Sequence, residues 1–143
     1  WEGIFMTKKD LIGTWEIISY TMMNKDSSIS YPLGRDCKAY LIYTEDGHVS
    51  AQMSAMHRKP YSSGDLHEGT LAEMAEAAHG YMAYMGTYTL KLDRSEVIHH
   101  IELSMNPCWE NESQVRHLDY DGEYLTITAD VNGGRLVWKK ISG

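Results

Sequence analysis

At 143 residues, 43% apolar and 23% charged, the chain has the size and balance of one soluble domain over residues 1–143, with room for a sizeable core. Its net charge of −7, with no stripe of Lys and Arg to reverse it, argues against nucleic acid and anionic membrane as partners. No apolar run approaches the ~18 residues that span a bilayer, and residues 1–5 are too short and lack the basic flank of a signal peptide.

Met6-Thr7-Lys8-Lys9 reads as a natural start, with residues 1–5 a remnant of expression. Residues 11–20 alternate with period two and are rich in β-branched and aromatic types, so they predict a first strand that begins at Gly13-x-Trp15. Gly13 would let another backbone approach, leaving Trp15 free to lie across one end of a closed sheet. A turn at residues 24–28 leads to a short edge strand stopped by Pro32. Residues 37–44 and 49–56 form a hairpin around Asp46-Gly47, a pair that supplies the positive φ of a tight turn. In its second arm Val49, Ala51, Met53 and Ala55 face one side and Ser50, Gln52, Ser54 and Met56 the other.

A loop over residues 57–69 precedes Thr70-Leu71-Ala72-Glu73, a capping box that starts a helix. Leu71, Met74, Ala75, Ala78, Met82 and Met85 follow at helical spacing and predict one apolar stripe packed on the rest of the fold. The remainder reads as strands at 87–92, 97–105, 114–120, 124–130 and 135–141, joined by short turns, among them 132–134. Eight to ten strands on hairpin connections predict an all-β fold: a single antiparallel barrel with one short helix as lid or plug. Cys37 and Cys108 follow no metal or redox spacing and read as free thiols of a reducing compartment, the cytoplasm.

Gly13-x-Trp15 resembles the signature that opens the lipocalin barrel. The run Leu11-Ile12-Gly13-Thr14-Trp15, Tyr31-Pro32-Leu33-Gly34 and Tyr40-Leu41-Ile42-Tyr43-Thr44-x-Asp46-Gly47 is similar to the lipocalin-like domain family of small bacterial and fungal proteins. So are Tyr84-x-Gly86-Thr87-Tyr88, His99-His100-Ile101-Glu102, Asn106-x-x-Trp109, Gln114-Val115-Arg116 and Arg135-Leu136-Val137-Trp138. The resemblance implies a compact lipocalin-type barrel holding a small molecule, with no fixed reaction, and some members sit beside enzymes of secondary metabolism. Cys108 departs from the pattern, standing where a polar residue would be expected before the Trp.

The histidine pair is informative by what it forbids. His99 and His100 are neighbours on a strand, so their rings point to opposite faces and cannot share a metal ion, and no His-x-His or His-Glu-x-x-His occurs. No metal and no cofactor is expected. His100 shares a face with Glu102 and Ser104, a polar row suited to a wet barrel. A dry core would turn His99, Ile101, Leu103 and Met105 inward instead. The inward ring is either satisfied by a neighbouring hydroxyl or free to serve a ligand. Arg116, in mid-strand, needs a carboxylate if it faces in, from Glu102 or from an acidic ligand. Trp109 either closes a barrel end or stacks on a ligand at the rim beside Asn106.

Ten tyrosines and nine methionines suit a pocket for an aromatic or polyketide-like molecule as well as an ordinary core. The expected site is a cavity lined by Tyr40, Gln52, Tyr84, Tyr88, His100 and Arg116, with Asn106 and Trp109 near the rim. Two functions fit. One is a monomeric or homodimeric module that binds a small, largely apolar, acidic or polyketide-like molecule. The other is a cofactor-independent cyclase or isomerase working on a natural-product intermediate in the same cavity.

Overall fold

The computed structural model describes residues 5–129 and 133–143. The expected strand end at Asp130 and turn residue Asn132 lie outside them, as do residues 1–4. The strands are β1 (Gly13–Met23), β2 (Ile29–Ser30), β3 (Lys38–Tyr43), β4 (His48–Ser54), β5 (Tyr81–Lys91), β6 (Glu96–Ser104), β7 (Ser113–Tyr120), β8 (Tyr124–Thr128) and β9 (Gly134–Ser142). All pairings are antiparallel in the order β1-β3-β4-β5-β6-β7-β8-β9, and β9 returns to pair with β1. Eight strands therefore close a barrel, while β2 is a short edge on the far end of β1. Closure removes the open sheet edge on which other chains could pair.

Alternation puts one residue in two inside. Ala39, Leu41 and Tyr43 of β3, Val49, Ala51 and Met53 of β4, and Val97, His99 and Ile101 of β6 are all buried, joined by Leu118, Leu125, Ile127 and Trp138. The core is apolar, and β6 takes the phase that suits it: His99 faces in at 1% exposure beside Val97 and Ile101, and His100 faces out. The polar row expected inside is broken by a register shift between Met85 and Gly86, opposite Glu102, which leaves both Glu102 and Leu103 outside. Gly86 permits the irregularity, since a Cβ there would stand 1.8 Å from the His100 carbonyl oxygen.

One end of the barrel is sealed by α1 (Lys8–Leu11), a four-residue helix the sequence pattern did not suggest, held by a Thr7/Asp10 capping box. Its Leu11 and the Trp15 below it are wholly buried. Gly13, at φ +136°, lets β9 close over this end: a Cβ would meet the Ser142 carbonyl oxygen at 2.3 Å.

The other end carries α2 (Leu71–His79), capped by Thr70 as expected. Its apolar stripe does not pack as predicted. Leu71 is 83% exposed, Met74 is 41% exposed, and no α2 residue is buried. Met82 and Met85 belong to β5, because the chain leaves the helix at Gly80 and alternates from Tyr81 onward. Hydrogen bonds hold α2 instead. The Glu73 carboxylate accepts from the Thr70 amide at 2.9 Å and from the Ser62 amide and hydroxyl at 2.8 and 3.0 Å. Those bonds hold its pKa down at about 2.

Candidate functional site at the open end of the barrel

Chain direction sorts the strand ends. The 44–47 hairpin and the β5–β6 and β7–β8 turns lie at the sealed end. The β2 hairpin, the long 55–70 segment with α2, and the Pro107–Trp109 turn lie at the other. A cavity of about 600 Å³ opens there, walled by Ala75, Ala78 and His79 of α2, Pro32 and Leu33, and Asn106, Pro107 and Trp109. Beneath it lies a smaller pocket of about 50 Å³, whose wall includes Tyr84, His99, Arg116, Leu136 and Trp138. Tyr20, Met82 and Trp109 line both. The two spaces therefore adjoin along these three side chains.

Inside the barrel a polar chain crosses the core. His99 Nε2 lies 2.6 Å from the Tyr43 hydroxyl, and Nδ1 lies 2.8 Å from the Tyr84 hydroxyl. Burial, reinforced by the Arg116 charge and by His100, pushes the His99 pKa from 6.5 down to about 3, so the imidazole is neutral near pH 7. A neutral ring has one N–H and one bare nitrogen, which leaves two possible polarities. If Tyr84 donated to Nδ1, the Tyr43 oxygen would accept from Nε2–H, and its own proton would be sealed in a dry core at 1% exposure, at a cost of about 1–3 kcal/mol. The reverse polarity strands nothing. Tyr43 donates to Nε2, Nδ1–H donates to Tyr84, and the Tyr84 O–H is left for the pocket that Tyr84 lines.

Burial also raises the tyrosines, Tyr84 to about 12 with Arg116 opposing the rise, and Tyr43 by burial and the neighbouring Tyr84. Neither ionises near pH 7. Arg116 sits on the inward phase of β7, where its guanidinium donates to Gln114 Oε1 and, at 3.3 Å, to the Val115 carbonyl. Among the described residues no carboxylate pairs with it. Glu102, the expected protein partner, is outside the barrel. The Trp138 indole Nε1–H is buried with no acceptor. Among the described residues no cluster of His, Cys, Asp or Glu is arranged to hold a metal ion.

Of the eight residues expected at the site, Tyr84, Trp109 and Arg116 come together at the inner pocket, and Asn106 stands at the rim of the outer cavity. The Asn106 side chain accepts from the Cys108 amide at 3.2 Å, so it is partly spent on its own turn. Four lie elsewhere. Tyr40 takes the outward phase of β3 at 37% exposure. Gln52 is outward on β4, accepting from the Tyr81 hydroxyl at 2.6 Å. His100 is outward between the hydroxyls of Thr89 and Ser113, each at 2.8 Å. Tyr88 packs edge-on to Tyr43 and donates to the Thr44 carbonyl at 2.7 Å, at the sealed end.

Tyr20, Met82, His99 and Trp138 are among the lining residues that the sequence reading did not select. Tyr20 is inward because a register shift between Ile17 and Ser19 inverts the phase of β1, and Ile18 is turned out at 54% exposure.

Comparison with known proteins agrees with this architecture. A family model described as lipocalin-like domain matches residues 12–141. The crystal structure of a lipocalin-like protein from Bacteroides uniformis superposes with a TM-score of 0.53 at 15% identity, over 92% of this chain and 99% of that one. No match is found among curated proteins.

Proposed function

The chain belongs to the lipocalin-like domain family, and from that premise we propose that it binds a small, largely apolar molecule at the open end of its barrel. The supporting observation is a pair of adjoining spaces that share Tyr20, Met82 and Trp109 in their walls. The outer one, at about 600 Å³, falls within the ~300–1,000 Å³ usual for small-molecule sites. Its wall is mostly apolar, with Pro32, Leu33, Ala75, Ala78, Met82 and Pro107 around a few polar groups. Arg116 at the inner end, lacking a carboxylate partner among the described residues, favours an acidic molecule over a neutral one.

The cyclase or isomerase alternative has less support. The chain from Tyr84 through His99 stops at Tyr43, which is buried among core side chains and has no route for a proton to solvent among its bonds. Donating a proton repeatedly would strand a phenolate in the core.

The test uses a neutral fluorescent probe, N-phenyl-1-naphthylamine, on the full chain. Its emission should rise on binding, and Trp109→Ala should weaken that binding about tenfold, or about 1.4 kcal/mol. No emission change with the intact protein would end the proposal. Native mass spectrometry of protein from its own host would then name the resident molecule.

Access to the site passes beside α2. Because none of its residues is buried, its amides should exchange with deuterium at least about tenfold faster than those of β6. Equal protection in the two elements would argue against a lid that opens.

A further inference from the structure

We infer that the outward face of β3–β6 is an interface at which two copies of this chain pair. On this wall Ile42, Ser50, Met85 and Leu103 lie side by side in one cross-strand row, and Tyr40, Gln52 and Ala83 in the next. All take the outward phase, with Met85 43% and Leu103 68% exposed. The solvent side of an antiparallel sheet ordinarily alternates to polar residues, and a contiguous apolar patch there marks a site of protein contact. Tyr40 and Gln52, which stand outside the cavity, belong to this face.

Charge selects the occupant. The outward residues of β4, and of β5 as far as Thr89, include no Asp, Glu, Lys or Arg, and Lys38 and Glu102 stand at the two sides. The opposite wall carries Asp119 on β7 and Arg135 and Lys139 on β9. At a net charge of −7 two copies repel one another, and they approach closely only through an uncharged face. A basic partner would find nothing on this wall to pair with. The composition also fits, since Tyr and Met are enriched and Lys, Glu and Asp depleted at protein interfaces. Pairing by strand addition is closed off, because β9 returns to β1 and leaves the barrel no long free edge.

Symmetry supplies the fit. A twofold axis lying in this face and running across the strands sets one row on the other. Ile42 then meets the partner's Tyr40, and the long Met85 meets the small Ala83 of the partner subunit. Four strands about 4.8 Å apart, each presenting about 20 Å of length, give roughly 400 Å² per copy before side-chain relief is counted. The two faces together come near the ~1,000 Å² that a specific interface needs and fall short of the ~1,600 Å² of a standard one. The pair expected from such a face is reversible and forms with rising protein concentration.

Sedimentation equilibrium of the full chain from about 1 to about 300 µM tests this. The mass should rise from 16.3 kDa towards twice that value, and more readily in about 0.5 M NaCl, which screens the like charges. Leu103→Glu and Met85→Glu, both at exposed positions, should each weaken pairing at least about tenfold, because the twofold axis brings in every added charge twice. Ile141→Glu, also exposed but on β9, should pair as the native sequence does. Urea midpoints show which variants are folded, and should one Glu variant unfold, the other decides. A chain that stays monomeric throughout overturns the proposal, and means that a different protein, or none, covers this wall. A dimer that salt dissolves, or one that both Glu variants leave intact, overturns it too. So does an equal loss of pairing in Ile141→Glu, the effect then being one of net charge.

Discussion

Trp15→Ala is expected to destabilise the protein by about 3–5 kcal/mol, as truncation of a large core aromatic does. For a chain of this length that lowers Tm by roughly 10–15 °C. The indole is wholly buried, and three contacts fix it. Its Nε1–H donates to the Leu11 carbonyl at 2.9 Å, which ties the barrel wall to α1. Tyr120 meets it edge-on at 6.2 Å. Lys140 Nζ stands 5.1 Å from the ring centre and donates to the Ile12 carbonyl at 2.7 Å. Alanine would empty the sealed end and leave the Leu11 carbonyl without its donor. Little collapse can refill the space, because eight strands paired in a closed ring resist moving inward. Urea denaturation measures the loss, and a value under ~1 kcal/mol would mean that Trp15 does not hold this end.

The parts of the fold legible in the sequence were those governed by a single local rule. Asp46-Gly47 between two alternating segments is sufficient for a hairpin, and the β3–β4 register runs unbroken from Lys38↔Ser54 to Tyr43↔Val49. Gly13-x-Trp15 worked because backbone proximity and aromatic burial point to the same end of the barrel. The extent of α2 was illegible for a specific reason. Met82 and Met85 lie at helical spacing from Leu71 and Ala78, yet Met82, Tyr84 and Gly86 also alternate as one face of β5, and period alone does not choose between them.

The site was harder because it depends on irregularities and on depth. A register shift on β1 inverts the phase just before Tyr20, and one on β6 at Glu102 turns Leu103 outward but leaves the alternation of His99 and His100 intact; such a shift leaves no mark on composition. Tyr88 has the inward phase but sits near the sealed end, since alternation reports the face and not the height. Gln52 was separable from Val49, Ala51 and Met53 by alternation, but its polarity invited a place in the pocket. The polar group that the core does contain, His99, is flanked by Val97 and Ile101 on the same face. Three inward residues of which two are aliphatic are the signature of a dry wall.

That dry wall should make the protein acid-labile well above the range in which carboxylates titrate. His99 is neutral when folded, with a pKa of about 3, against 6.5 when exposed. Between these values the unfolded chain takes up a proton that the folded chain refuses, so stability rises with pH across the interval. The contribution is fully present above 6.5 and is lost as pH falls towards 3. Each pH unit changes it by about 1.4 kcal/mol, and the whole interval amounts to on the order of 5 kcal/mol. Asp10, Asp26, Asp46, Asp121 and Glu73 also lie below the usual carboxylate range through hydrogen bonds to neighbouring residues. Their contributions begin to fade at about pH 5, equally in the native sequence and in His99→Gln, so the difference between the two from pH 6 to 4.5 isolates His99. Protonation there would give the ring two N–H donors. Tyr43 would then have to turn from donor to acceptor, and its O–H would be left unpaired in the core. Unfolding free energies measured at pH 6, 5.25 and 4.5 should fall by about 1.4 kcal/mol per unit in the native sequence and by clearly less in His99→Gln. A native profile that stays flat from pH 6 to 4.5, or a His99 ring that titrates near 6.5 by NMR, would show that the imidazole is not sealed between its two tyrosines.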